Sequence, residues 1–189
     1  MNFLSFGNRK LPKSTAIFNM TSAINCPSDN AGLCAIADIC YARKTEHRWP
    51  NTYFYRERQT EFFDKENWNR IAEGMLAQFA IQKQPIKMLR FSESGDFRTQ
   101  RDVVKFGFIA RKLVENGFKV YGYTARKDLD FSELKKWATV NGQGFKVTNQ
   151  IDVVDEFSGR NGVIKCIGSC HECSACANAR NKIIEIKKH

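Results

Sequence analysis

Five short runs rich in β-branched and aromatic residues alternate along this chain with segments whose apolar residues recur at helical spacing. The runs are STAIFNM, IKMLRFS, FKVYGYT, GFKVTNQ and GVIKC. Between the first two lies a long loop and then a helix-period set, Trp68, Ile71, Ala72, Met75, Leu76, Phe79 and Ala80, closed by Pro85. Between the second and third, TQRD from Thr99 has the form of a capping box. Val103, Phe106, Ala110, Leu113 and Val114 follow it on one helix face, and Gly117 is placed as the stop. A shorter helix is expected at Leu134, Trp137 and Ala138, ending at Asn141-Gly142. Strands alternating with helices imply an α/β fold with a parallel sheet and crossover helices. The expectation is a partial (βα) barrel of about five mostly parallel strands, since a full eight-stranded barrel needs about 250 residues and this chain has 189. No repeat, low-complexity segment or Pro/Ser linker divides it, so residues 1–189 read as a single domain.

In parallel α/β folds chemistry gathers beyond the C-terminal ends of the strands. Here those positions hold an unusual set. The first strand is followed by Cys26, Cys34 and Cys40, and the last runs into Cys166, Cys170, Cys173 and Cys176. Glu93 and Asp96 follow the second strand, Thr124 and Arg126 the third, and Thr148, Asn149 and Gln150 the fourth. The cysteine loops near both ends (26–40 and 166–176) are therefore expected on one face.

Seven cysteines, an odd number, argue against a closed disulfide framework. With no leader-like start and no run of about 18 apolar residues, the chain reads as cytoplasmic and not membrane-spanning, where clustered thiols bind metal or do redox chemistry. Zinc sites usually pair two C-x2-C units across a longer spacer. Here C-x2-C recurs without a spacer at Cys170, Cys173 and Cys176, as in ferredoxins that cap a cubane cluster. The cysteines divide as four and three, so one or two 4Fe-4S clusters are expected, one of them with an iron that no cysteine ligates. Zinc and free thiols are the alternatives. His171, inside the run, reads as a solvent-facing loop residue.

The formal net charge of +10 favours a polyanionic partner such as nucleic acid. RWPNTYFYRER, residues 48–58, mixes arginine with aromatics in the way single-strand binders do, although such a stretch more often covers a sheet edge. Arg90 is expected in a structural ion pair, or else offsetting cluster charge. Tyr121 and Tyr123 share a strand face, as core packing or with a hydroxyl turned to a cluster.

NCPSDNAGLCAIADICYARK, LRFSESGDF, VYGYTAR and the C-terminal cysteines, in that order, resemble the bacteriophage gene product 88 family. That family is itself radical-SAM-like in motif order. The resemblance runs from about Thr15 to Cys176. It implies a radical-SAM-like scaffold, a 4Fe-4S cofactor and, in a phage-encoded protein, the host cytoplasm. It places Cys26, Cys34 and Cys40 in the cluster loop, with Tyr41 as the adjacent aromatic. SESGD then stands where a Gly-Gly-Glu segment contacts S-adenosylmethionine, with Glu93 or Asp96 as the carboxylate that meets its ammonium. Two departures stand out: the first loop is C-x7-C-x5-C, and a C-x3-C-x2-C occurs instead at Cys166, Cys170 and Cys173. The expected function is a phage iron–sulfur protein doing redox or cluster-based chemistry with an undefined redox partner. The alternatives are a basic nucleic-acid-binding module with a structural iron–sulfur or zinc site, and a zinc-stabilised interaction protein.

Overall fold

A computed structural model describes residues 2–188. Its strands are β1 (Ser5–Phe6), β2 (Thr15–Phe18), β3 (Met88–Phe91), β4 (Lys119–Thr124), β5 (Thr139–Gln143), β6 (Asn149–Val154), β7 (Ile164–Lys165) and β8 (Ile183–Lys187). They form one eight-stranded sheet in the order β1-β2-β3-β4-β5-β6-β8-β7. Only the β1–β2 pair is antiparallel. The helices are α1 (Pro27–Asn30), α2 (Tyr41–Arg48), α3 (Pro50–Lys65), α4 (Trp68–Ala80), α5 (Gln100–Glu115) and α6 (Ala175–Asn178).

Strand alternation gives the sheet one apolar and one polar face. Ala16, Phe18, Leu89, Phe91, Val120 and Val140 belong to the main core with Phe63 of α3, Ile71 and Met75 of α4, and Phe106 and Ile109 of α5. Both long crossover helices are capped, α5 where the sequence indicates. Asn67 Oδ1 accepts from the Arg70 amide at 2.9 Å, and Thr99 Oγ1 from the Asp102 amide at 3.3 Å. Asp102 reaches back to the Arg98 amide, one residue before the cap. The opposite face carries Ile17, Arg90, Tyr121, Tyr123, Asn141 and Asn149.

Several expectations are corrected. The sheet is open, with β1 and β7 as its edges. It has eight strands rather than about five and does not close into a barrel. Residues 144–148 are too few for a helix and double straight back over β5. They come so close that a Cβ on Gly142 would lie 2.3 Å from the Phe145 carbonyl oxygen, so only glycine fits there. The helix expected to run from Leu134 to Asn141-Gly142 is a single 3-10 turn, Leu134–Lys136, and Thr139–Gln143 is a strand. β-Branched Thr139 and Val140 pair with β4, and this tertiary pairing overrides the local signal. The fourth strand begins at Asn149 rather than within residues 144–148. The long loop after β2 contains α2 and α3, and β1 and β8 join the strands the sequence indicated.

Candidate metal centre

The chain leaves β2 through Asn19 and turns into the first cysteine loop. That turn is fixed by a buried carboxylate. Glu46 of α2 accepts from the Ala23 amide at 2.7 Å and the Ile24 amide at 3.0 Å, and Arg56 of α3 donates to it at 2.8 Å. Both side chains of this pair are almost fully enclosed. Cys26 then caps α1 and Cys40 caps α2. Between them the Ala35 amide is held by Gln143 Oε1, at the end of β5, at 2.9 Å. Asp29 of α1 pairs with Arg43 of α2.

Asp96 ties this loop to two more strand ends. Its carboxylate accepts from Ser28 Oγ at 2.6 Å, Thr124 Oγ1 at 3.1 Å, and the amides of Ala125 and Phe97, each at 2.8 Å. All of its acceptor capacity faces inward, and it is 3% exposed. The neighbouring Gly95, at φ +66°, lies against Thr21: a Cβ there would stand 2.1 Å from Thr21 Oγ1. The turn after β3 is thus pressed against the exit from β2.

The second cysteine segment lies across the polar face of the sheet. Asn141 Nδ2 donates to the Gly122 and Cys176 carbonyls at 2.9 and 3.0 Å. Asn149 Nδ2 donates to Asn141 Oδ1 at 3.0 Å and to the Ala179 carbonyl at 2.9 Å. Thr139 Oγ1 donates to the Ala177 carbonyl at 3.0 Å. At the other end the Cys170 amide donates to the Lys10 carbonyl at 2.9 Å. The Tyr123 side chain is an electrostatic neighbour of Cys176, and its ring packs edge-on against Tyr121. His171 is exposed, as expected.

All seven thiols are free and half-buried. The electrostatic neighbours of their thiols separate them into two groups. Cys26 feels Asp96, Cys34 and Cys40. Cys170 and Cys176 feel Arg90 and Cys166, and Cys170 also feels Cys173. Tyr41, Glu93 and Arg90 form a cluster of their own. The Tyr41 hydroxyl donates to the Glu93 carbonyl at 2.9 Å, and Asn8 Nδ2 donates to the Glu93 carboxylate. Arg90 makes no ion pair among the described residues. Its guanidinium lies 4.9 Å from the centre of the Tyr123 ring, and its enclosed Nε has no hydrogen-bond partner. Among the described residues, no three or more His, Cys, Asp or Glu side chains converge tightly enough to hold a single metal ion. Beside Glu93 opens a cavity of about 390 Å³, lined also by Asn8, Asn19, Tyr55 and Arg56. Glu46, Arg56 and Asn141 are the residues that reading the sequence missed, and Asn149 opens β6 rather than following a strand as expected. Each looks like an ordinary polar surface residue until its partner from a distant segment is known.

Burial pushes the Cys26 thiol up to about 12, with the nearby Asp96 charge adding to the effect, and burial likewise pushes Cys176 up to about 11. The ordinary thiol value is 9.0. Without metal, the folded chain keeps protons that the unfolded chain releases above about pH 9, so this contribution to stability is complete below that pH and is lost as pH rises. The urea midpoint of the metal-free chain is expected to fall steadily from about pH 9 to about pH 11, and Cys26→Ala to flatten the fall. A level profile in the parent chain would show that these thiols are not enclosed.

The fold and site define a class: an open, mostly parallel α/β sheet that carries a three-cysteine loop beyond one strand end and a four-cysteine segment across its polar face. The family model described as gene product 88 matches residues 2–141. The chain belongs to that family. The match takes in Cys26, Cys34, Cys40, Glu93 and Asp96 and ends within β5, short of the four-cysteine segment. No curated protein and no solved structure matches the chain. Among the described residues no helix is long and apolar enough to cross a membrane.

Proposed function

We propose that this chain is an iron–sulfur protein with two cubane-type 4Fe-4S centres. Cys166, Cys170, Cys173 and Cys176 would hold one, and Cys26, Cys34 and Cys40 the other. The observation that carries this reading is that seven free, half-buried thiols fall into two sets of neighbours, Cys26 with Cys34 and Cys40, and Cys170 with Cys166, Cys173 and Cys176. The donor set suits the cofactor, because thiolates are the usual ligands of such clusters. So does the charge beside it: a permanently charged guanidinium with an unused donor stands next to the four-cysteine group, where thiolate ligation concentrates negative charge.

When bound, such centres supply one-electron chemistry, with potentials set by hydrogen bonds and burial. The chain's own residues divide the remaining work. Tyr123 stands beside the four-cysteine group, and Arg90 offsets its charge. Asp96 braces the three-cysteine loop against the ends of β3 and β4. Three thiolates leave one iron of that centre for water, substrate or S-adenosylmethionine. The Glu93 carboxylate, on the wall of a cavity, would be the group to meet an ammonium.

The test is iron, acid-labile sulfide and zinc per chain in protein purified without oxygen. About eight irons and eight sulfides are expected. About four of each would remove the second centre, and zinc without sulfide would overturn the reading, together with any role for S-adenosylmethionine.

A further inference from the structure

The stretch at residues 48–58 is helical on both sides of Trp49, and Tyr55 lies beside Ser5 of the edge strand β1. The stretch forms the corner between α2 and α3, and its exposed residues fall into two stripes. On α2, Tyr41, Lys44 and Arg48 stand at i, i+3 and i+7; on α3, Phe54 and Arg58 stand at i and i+4. Trp49 joins them at the corner. Trp49, Phe54 and Tyr41 are 59%, 55% and 51% exposed, among the most exposed large apolar side chains of the molecule. Among the described residues, none of Lys44, Arg48 and Arg58 has an ion-pair partner. Arg48 instead lies 5.6 Å from the centre of the Trp49 ring.

Exposed rings interleaved with uncompensated cations match a ligand that offers flat faces on a chain of anions. We infer that this α2–α3 face binds single-stranded nucleic acid: bases stack on Trp49 and Phe54, and phosphates meet Lys44, Arg48 and Arg58. Charge complementarity selects this occupant, since the chain carries +10 and the exposed Glu61 that follows Arg58 on α3 is paired with Lys65. A duplex hides its base faces and offers nothing for the rings to stack on. The α2 stripe also points to where the strand leads. Its first residue, Tyr41, is tied by its hydroxyl to Glu93, so a strand laid along α2 ends at the candidate metal centre and its cavity. The binding itself does not depend on which metal the cysteines hold.

The experiment is fluorescence anisotropy with a labelled oligothymidylate of roughly 12 nucleotides and the full chain, across a salt series. Binding is expected to weaken with salt. Replacing Lys44, Arg48 and Arg58 together with alanine should reduce the salt slope by about 2, at about 0.7 per phosphate contact on a single strand. Trp49→Ala should weaken binding about tenfold and Trp49→Phe much less. Trp49 is exposed, so the fold survives its replacement, and circular dichroism checks this. Three outcomes would overturn the inference. The first is equal affinity for a duplex of the same sequence, and the second is affinity unchanged in Trp49→Ala and Phe54→Ala. The third is absence of oligonucleotide binding alongside self-association that Trp49→Ala abolishes, which assigns the face to a second copy of this chain. Metal and sulfide measured on the same samples keep this result separate from the fate of the iron–sulfur reading.

Discussion

Replacing Glu46 with alanine is expected to cost about 3–5 kcal/mol of folding stability, a large part of the roughly 5–15 kcal/mol a domain has. The substitution leaves the Arg56 guanidinium charged and enclosed without its partner, and strips the acceptor from the Ala23 and Ile24 amides. Urea denaturation of the purified protein measures the loss. Glu46→Gln keeps an acceptor for the amides and should lose less. Glu46→Leu combined with Arg56→Met removes both charges and should recover a good part of the stability. Because the braced amides lie just ahead of Cys26, metal held by the three-cysteine loop should fall in Glu46→Ala while that of the other group remains. A loss under about 1 kcal/mol would mean that the ion pair does not brace the loop.

Single cysteine replacements should divide the metal rather than abolish it. In the two-centre reading, Cys176→Ser or Cys170→Ser is expected to lower iron and sulfide from about eight to about four per chain. Cys34→Ser should remove the other half. Complete loss of iron from one substitution in either group would show that all seven cysteines serve one centre. No loss from any of the first-loop cysteines would leave the four-cysteine segment as the sole site.

How far the sequence reveals this structure depends on where each element finds its partners. α4 and α5 are legible because their buried faces are apolar at helical spacing, and Thr99 caps α5 as read. β2, β3 and β4 are legible as dense apolar runs. α3 is hidden because the side it buries consists of Arg56, Gln59 and Phe63, so no apolar stripe marks it. Gln59 is satisfied by Asn19 and by the Phe3 carbonyl, partners from the far end of the chain. Asn141-Gly142 imitates a helix stop, yet Asn141 is a buried strand residue that bridges Gly122 and Cys176. The division of the cysteines into four and three is legible from their count and spacing. That the four would lie across the sheet, rather than only at its rim, depends on the ladder of Asn141 and Asn149, which no local pattern announces.

The position of β8 between β6 and β7 has a consequence for how the molecule is made. β7 pairs only with β8, and β8 follows it in the chain with the four-cysteine segment in between. During synthesis from the N-terminus, β2 to β6 can assemble one after another as they emerge. β7 and Cys166 must wait unpaired until Ile183–Lys187 has left the ribosome. Only then does the segment become a loop closed at both ends and pinned to the polar face. Four thiols therefore remain open to oxidation, or to whatever delivers metal, until the sheet is complete. The four-cysteine segment is thus pinned late, whereas the first cysteine loop, rooted between β2 and α3, can form much earlier.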